Sequence, residues 1–155
     1  MAGTAVALSC GNKAARKTAE TITMEFKKKV HDGTIYLKSK GIAEMQYLHH
    51  FRWDDPTVTG MLAEISTLYL GRHTKPVFGL AATGQAIKVS SRATRTLVAK
   101  GVDLNEACRR SAEGCGGQGG GHNIASGATI PLATIDHFLA SANKIIGEQL
   151  ARKTS

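Results

Sequence analysis

The stretch Gly116-Gly117-Gln118-Gly119-Gly120-Gly121-His122, continued by Asn123-Ile124-Ala125-Ser126-Gly127-Ala128, constrains the fold more than any other part of this 155-residue chain. Each glycine costs roughly 0.5–1 kcal/mol relative to alanine inside a regular element, so such a run belongs where backbone turns sharply or approaches another group closely. As a loop it brings successive N–H groups into a concavity suited to an anion. The small residues after His122 read as the start of a short helix whose N-terminus adds to the same field. A phosphate is the natural guest. The plainer alternative is that the glycines only permit a tight turn and that His122 is a hydrogen-bonded, partly buried side chain.

The rest of the chain reads as one α/β unit. Residues 12–31 form a helix, capped by Asn12, with Ile22, Phe26 and Val30 on one face and Lys13, Arg16, Lys17, Lys27, Lys28 and Lys29 on the other. That basic face is either solvated or a contact for phosphates. His31-Asp32-Gly33 reads as a turn that closes an N-terminal extension over residues 1–33. Strands follow at Thr34–Lys38 and Ile42–Phe51. Asp55 caps a helix with Pro56 at its first position and a buried face of Met61, Leu62, Ile65, Leu68 and Tyr69, ending at Gly71. Pro76–Ala81 and Ala86–Ser90 are neighbouring strands joined at Gly84-Gln85, and Asp103 caps a helix that reaches Arg110 or Glu113. Gly127–Ile130 is a last strand and Thr134–Leu150 a final amphipathic helix. The expected architecture is a single α/β domain over residues 34–151, a mixed β-sheet flanked by helices, with a tail at 152–155.

A formal net charge of +8 points to a polyanionic partner, since clustered Lys and Arg attract phosphates and release counterions on binding. Aromatic residues make up only 5% of the chain, which argues against bases stacking on a broad aromatic platform. Ser90, Ser91 and Arg92 form a second candidate group. An arginine at a strand end offers a planar fork to a phosphate, and adjacent hydroxyls add neutral hydrogen bonds. Arg95 joins them through helical spacing. The competing reading has Ser-Ser-Arg merely capping a helix that begins near Ala93.

Cys10, Cys108 and Cys115 lack the density of a secreted disulfide scaffold and fit a reducing, cytoplasmic setting. No segment approaches the roughly 18 consecutive apolar residues of a membrane span. Cys108, Cys115 and His122 recur at equal spacing, but they lack a close Cys pair and a fourth zinc ligand, and Cys108 reads as core. His49 and His50 would point to opposite faces of a strand, which separates them as ligands.

The pattern at residues 116–128 resembles the signature of the DHH-associated domain, the C-terminal substrate-binding module of DHH-family phosphoesterases, which include RecJ single-strand exonucleases and oligoribonucleases. Ile87-Lys88-Val89-Ser90-Ser91-Arg92 is similar to the strand that carries a serine and an arginine in that family, and Gly101-Val102-Asp103-Leu104 looks like its next helix start. The resemblance implies a single-stranded DNA- or RNA-binding module. Gly119, Gly120, Gly121, His122 and Ser126 would hold a phosphate or terminal nucleotide, opposite Ser90, Ser91, Arg92 and Arg95. The family's metal-binding aspartates and its Asp-His-His motif are missing from this sequence, so the resemblance assigns no catalytic residue. Manganese or magnesium is expected only where a catalytic partner domain is present. It also admits a non-catalytic replisome scaffold that binds GINS-type proteins, or a partner to a separate catalytic DHH subunit.

Overall fold

The computed structural model describes residues 13–154, so the expected cap at Asn12 and the thiol of Cys10 lie outside the described residues. Helix α1 spans Lys13–Lys40. The turn expected at His31-Asp32-Gly33 and the strand expected at Thr34–Lys38 are both helix, and the boundary drawn between residues 33 and 34 falls inside one continuous element. Gly33 serves close approach rather than turning, because a β-carbon there would stand 2.6 Å from Leu62 Cδ1. A glycine inside a helix costs about 1 kcal/mol. Burying Leu37 and Leu62 beneath it, each worth roughly 1.5–3 kcal/mol, offsets that cost. The helix ends at Gly41, whose φ of +78° suits a left-handed cap and whose N–H donates to the Leu37 carbonyl at 2.9 Å.

The strand expected across Ile42–Phe51 is two short ones, β1 (Ala43–Glu44) and β2 (His49–Arg52), joined by a tight turn. His49 is buried and His50 half-buried on the opposite face. Helix α2 (Thr59–Tyr69) starts later than expected, because Asp55 organises a turn instead of capping the helix. Asp55 Oδ1 accepts from the Thr57 N–H and hydroxyl at 2.9 and 2.6 Å, while Oδ2 pairs with Lys29 Nζ at 2.8 Å and ties α1 to this turn.

Strands β3 (Val77–Thr83) and β4 (Ala86–Arg92) form a hairpin. Thr94, not the Ser-Ser-Arg segment, caps the short helix α3 (Arg95–Ala99) by accepting from the Leu97 N–H. Asp103 caps α4 (Leu104–Glu113) as expected, accepting from the Asn105 and Glu106 N–H groups. The glycine run is an edge strand, β5 (Gln118–Gly121), rather than a loop; β6 (Ala125–Pro131) contains the strand expected at Gly127–Ile130 and begins where the short helix after His122 was expected, and α5 (Ile135–Thr154) absorbs most of the expected tail.

The six strands form one sheet in the order β1-β2-β3-β4-β6-β5, with β2 and β3 parallel and every other pair antiparallel. The architecture is the expected one, a mixed sheet flanked by helices. On one face Phe78, Leu80, Ile87, Val89 and Ile130 pack against α4 and α5, with Phe78 edge-on to Phe138 at 6.3 Å. On the other, Val77 and Phe51 pack against Leu37, Val58, Leu62 and Ala63 of α1, α2 and the turn between them. That second layer covers β2 and β3 and stops at β4. Among the described residues no helix is long and apolar enough to cross a membrane.

Hydrogen bonds from Lys29 and Thr57 lower the Asp55 pKa from 3.8 to about 2. A carboxyl whose folded pKa is depressed stabilises the fold above its ordinary pKa, and that contribution disappears as pH falls through the folded value. The melting temperature of Asp55→Asn should therefore lie below that of the parent at about pH 6, and the two should converge as the pH approaches about 2. A gap that stays constant across this range would exclude the Lys29–Asp55 tie as its source.

Candidate functional site

Strand alternation divides β4 between the two faces: Ile87, Val89 and Ser91 enter the core, while Lys88, Ser90 and Arg92 stand on the opposite face, which α2 borders at Ser90 and Arg92. Register extends this division across the sheet. Gly79, Ser90, Gly127 and Gly120 lie in one cross-strand row. At Gly79 a β-carbon would stand 2.6 Å from Thr59 Cγ2 and 2.7 Å from Phe51 Cζ, so the missing side chain lets α2 settle onto the sheet beside Ser90. Beyond α2 the row continues uncovered as Gly127 and Gly120, a floor of nearly bare backbone. Arg92 and Ala125 border it on one side, and Lys88, Thr129 and Gln118 on the other.

The result is a cavity of about 700 Å³ over β4, β6 and β5. Its lining carries two cations, Lys88 and Arg92, and no carboxylate. Four residues apart on one strand, they are separated by about 13 Å at roughly 3.3 Å per residue. The Arg92 guanidinium is held in place, with Nη1 donating to the Ser91 carbonyl at 2.8 Å. Gly60, in the first turn of α2, makes room for it, since a β-carbon there would stand 3.0 Å from Nη2 and 3.6 Å from Ser90 Oγ. This first turn has neither an acidic residue nor a side-chain cap. The positive end of the helix dipole thus stands beside a guanidinium, an unfavourable pairing that an anion between them would relieve.

The sequence-derived residues divide on inspection. Ser90, Arg92, Gly119, Gly120, Gly121 and Ser126 line the cavity. Ser91 does not reach it. Its buried hydroxyl donates to the Ser126 carbonyl at 2.9 Å and lies 3.4 Å from Cys108 Sγ. Ser126 contributes mainly backbone, because its hydroxyl donates to the His122 carbonyl at 2.7 Å. The His122 side chain is exposed at the end of β5 and outside the cavity lining, and Arg95 lines a neighbouring cavity instead. Lys88, Gly127 and Gly60 complete the site. The period-two alternation that selects Ser90 and Arg92 also selects Lys88, so that signal was present in the sequence. The roles of Gly60 and Gly127 arise only from register and helix placement.

The glycines of β5 answer to packing as much as to any ligand. A β-carbon at Gly119 would stand 2.6 Å from the Cys108 carbonyl oxygen of α4, and Gly120 and Gly121 have φ of +147° and +150°. The Gly121 N–H is taken by Asn105 Oδ1 at 3.0 Å, so it is not a free donor of an anion nest. Burial pushes the Cys108 thiol up to about 11 within the core. Among the described residues, no three His, Cys, Asp or Glu side chains gather as a potential metal site.

Residues 44–148 match the model of the DHHA1 domain. The chain belongs to the DHHA1 domain family. It is 34% identical over 136 residues to an uncharacterized protein of Methanocaldococcus jannaschii, an alignment covering 88% of this chain and 29% of that protein. The fold is similar to that of RecJ from Thermus thermophilus in complex with Mn2+, with a TM-score of 0.66, 21% identity, and 88% of this chain and 19% of that one covered. It is also similar to CDC45 from Entamoeba histolytica, with a TM-score of 0.58, 11% identity, and 79% and 28% covered. The chain thus spans less than a third of the length of each of these relatives. In this DHHA1 domain the uncovered sheet face is where the glycine-rich segment and the Ser90–Arg92 strand meet.

Gly119→Ala should destabilise the domain by about 1–3 kcal/mol, because the added methyl meets the backbone of α4 rather than a side chain that moves aside. Gly116→Ala, whose β-carbon meets open space, carries only the conformational penalty of φ +79°. Thermal melting of both variants checks this, and equal shifts would show that the α4–β5 approach is not limiting.

Proposed function

We propose that this DHHA1 domain binds single-stranded nucleic acid, holding a phosphate or terminal nucleotide on the open face of β4, β6 and β5. The observation that carries the reading is a trough with a glycine floor, bordered by Arg92 and Lys88, beside an uncapped helix start and with no carboxylate in its lining. Side-chain-free backbone admits the sugar-phosphate chain closely. The Arg92 fork matches phosphate oxygens in a bidentate way, and Lys88 supplies a second point charge along the strand. Ser90 Oγ offers a neutral hydrogen bond on the same row. Such contacts fix position rather than sequence.

Recognition in this reading involves no bond cleavage by the chain itself, and no cluster of potential metal ligands forms among the described residues. Where a metal-dependent phosphoesterase acts, the ligands belong to a separate catalytic domain that receives the strand held here. RecJ and CDC45 both carry this fold, which supports a role beside nucleic acid or its replication machinery.

Arg92→Ala should weaken binding of short single strands by about 1–3 kcal/mol, the range for hydrogen bonds to a charged group. It should also lower the salt slope by about one contact. Lys88→Ala should act the same way and more weakly, since Lys88 is exposed. Titration by fluorescence anisotropy across a salt series, with circular dichroism confirming the fold, tests both. Unchanged affinity and slope in the folded double variant would remove the phosphate site and leave protein binding, of the GINS-type scaffold kind, as the better reading.

A further inference from the structure

Beside the phosphate trough lies a second cavity of about 380 Å³, between α2, the Ala93–Arg95 turn and the start of β6. The two share Arg92 and Ala125. Their chemistry differs. Leu68, Ala93, Ile124 and Ala125 form apolar walls in the second cavity, and Leu68 is 60% exposed, an apolar surface with no partner among the described residues. Two of its polar side chains are already committed. The buried Thr67 hydroxyl donates to the Ala63 carbonyl at 2.9 Å, and Thr94 Oγ1 accepts the cap bond from the Leu97 N–H at 3.1 Å. Glu64 and Arg95 remain, together with the part of the Arg92 guanidinium not donating to the Ser91 carbonyl. Glu64 stands on a helix anchored by fully buried Leu62 and Ala63, and it forms no ion pair within the described residues.

We infer that this second cavity takes the base of the nucleotide whose phosphate lies at Arg92, and that Glu64 selects bases presenting an amino group. The inference rests on the phosphate reading above. The division follows from charge and surface. The trough holds no carboxylate to oppose a phosphate, whereas in the second cavity Glu64 offsets part of the charge of Arg92 and Arg95, and the flat face of a base suits walls of Leu68 and Ile124. An ionised carboxylate only accepts hydrogen bonds. It pairs with the N4 amino group of cytosine and is opposed by O4 of uracil, which presents lone pairs at the same position. Arg92, lining both cavities, sets the register between phosphate and base.

Two strands of equal length and charge isolate the effect, oligo-deoxycytidine and oligo-deoxyuridine of four nucleotides, titrated at one fixed salt concentration. The parent protein should bind the cytosine strand at least about fivefold more tightly, the low end for a well-placed base-edge hydrogen bond. Glu64→Gln keeps the shape but carries both a donor and an acceptor, so the ratio of the two affinities should fall towards one, whatever the common gain from removing a negative charge. Leu68→Ala should weaken both strands. A parent ratio near one, or a ratio unchanged in folded Glu64→Gln, overturns the base site while Arg92→Ala still weakens both strands and the phosphate reading stands. If Arg92→Ala alters neither strand, the phosphate reading fails and the base site falls with it.

Discussion

The close approach of α4 to the edge strand β5 is the contact on which the rest of the site depends. The Cys108 carbonyl occupies the space that a side chain at residue 119 would need, and Asn105 Oδ1 holds the Gly121 N–H from the same helix. Two further bonds carry this clamp into the sheet: Ser91 donates to the Ser126 carbonyl, and Ser126 donates to the His122 carbonyl. A four-residue strand, three of whose positions are glycine, has little packing of its own to keep it in place. Pinned by backbone proximity, it extends the sheet past β6 and gives the trough its far wall.

The second determinant is where α2 stops. Its buried side chains seat it over β2 and β3, and Gly79 and Gly60 allow it to come down beside Ser90 and Arg92. The sheet continues for two more strands without a covering layer on that face. A face left open in this way normally presents polar side chains to water. Here its middle row is glycine and its borders are cationic, so the open surface is concave and positive rather than merely solvated. Net charge of +8 gives the chain its general attraction for anions; the placement of Arg92 and Lys88 around bare backbone gives that attraction a location.

Several features were legible from local patterns. Asp103 before an apolar periodic run specifies the start of α4 because the carboxylate satisfies orphan N–H groups whatever lies around it. The alternation of Ile87, Val89 and Ser91 with Lys88, Ser90 and Arg92 specifies two faces of a strand, and the glycine pattern of residues 116–128 identifies the family. Other readings failed where a local signal has two physical causes. Gly33 looked like a turn and is a contact point for Leu62; residues 116–121 looked like a loop, and four of them form an edge strand whose glycines make room for α4. Ser91 and Arg92 looked like one group, yet adjacent residues on a strand point to opposite faces, and the serine belongs to the core.

The amino-acid sequence by itself determined the element types with strong periodicity, the Asp103 cap, the basic character and the family, because each of these rests on interactions within a few residues of chain or on composition. Tertiary structure alone decided which glycines meet helix backbone and which face the trough, that α1 runs unbroken through Gly33, and that His122 and Arg95 stand outside the cavity that Arg92 and Lys88 border. Those outcomes depend on register between strands distant in sequence and on how far a helix extends over a sheet, and neither is encoded by spacing along the chain.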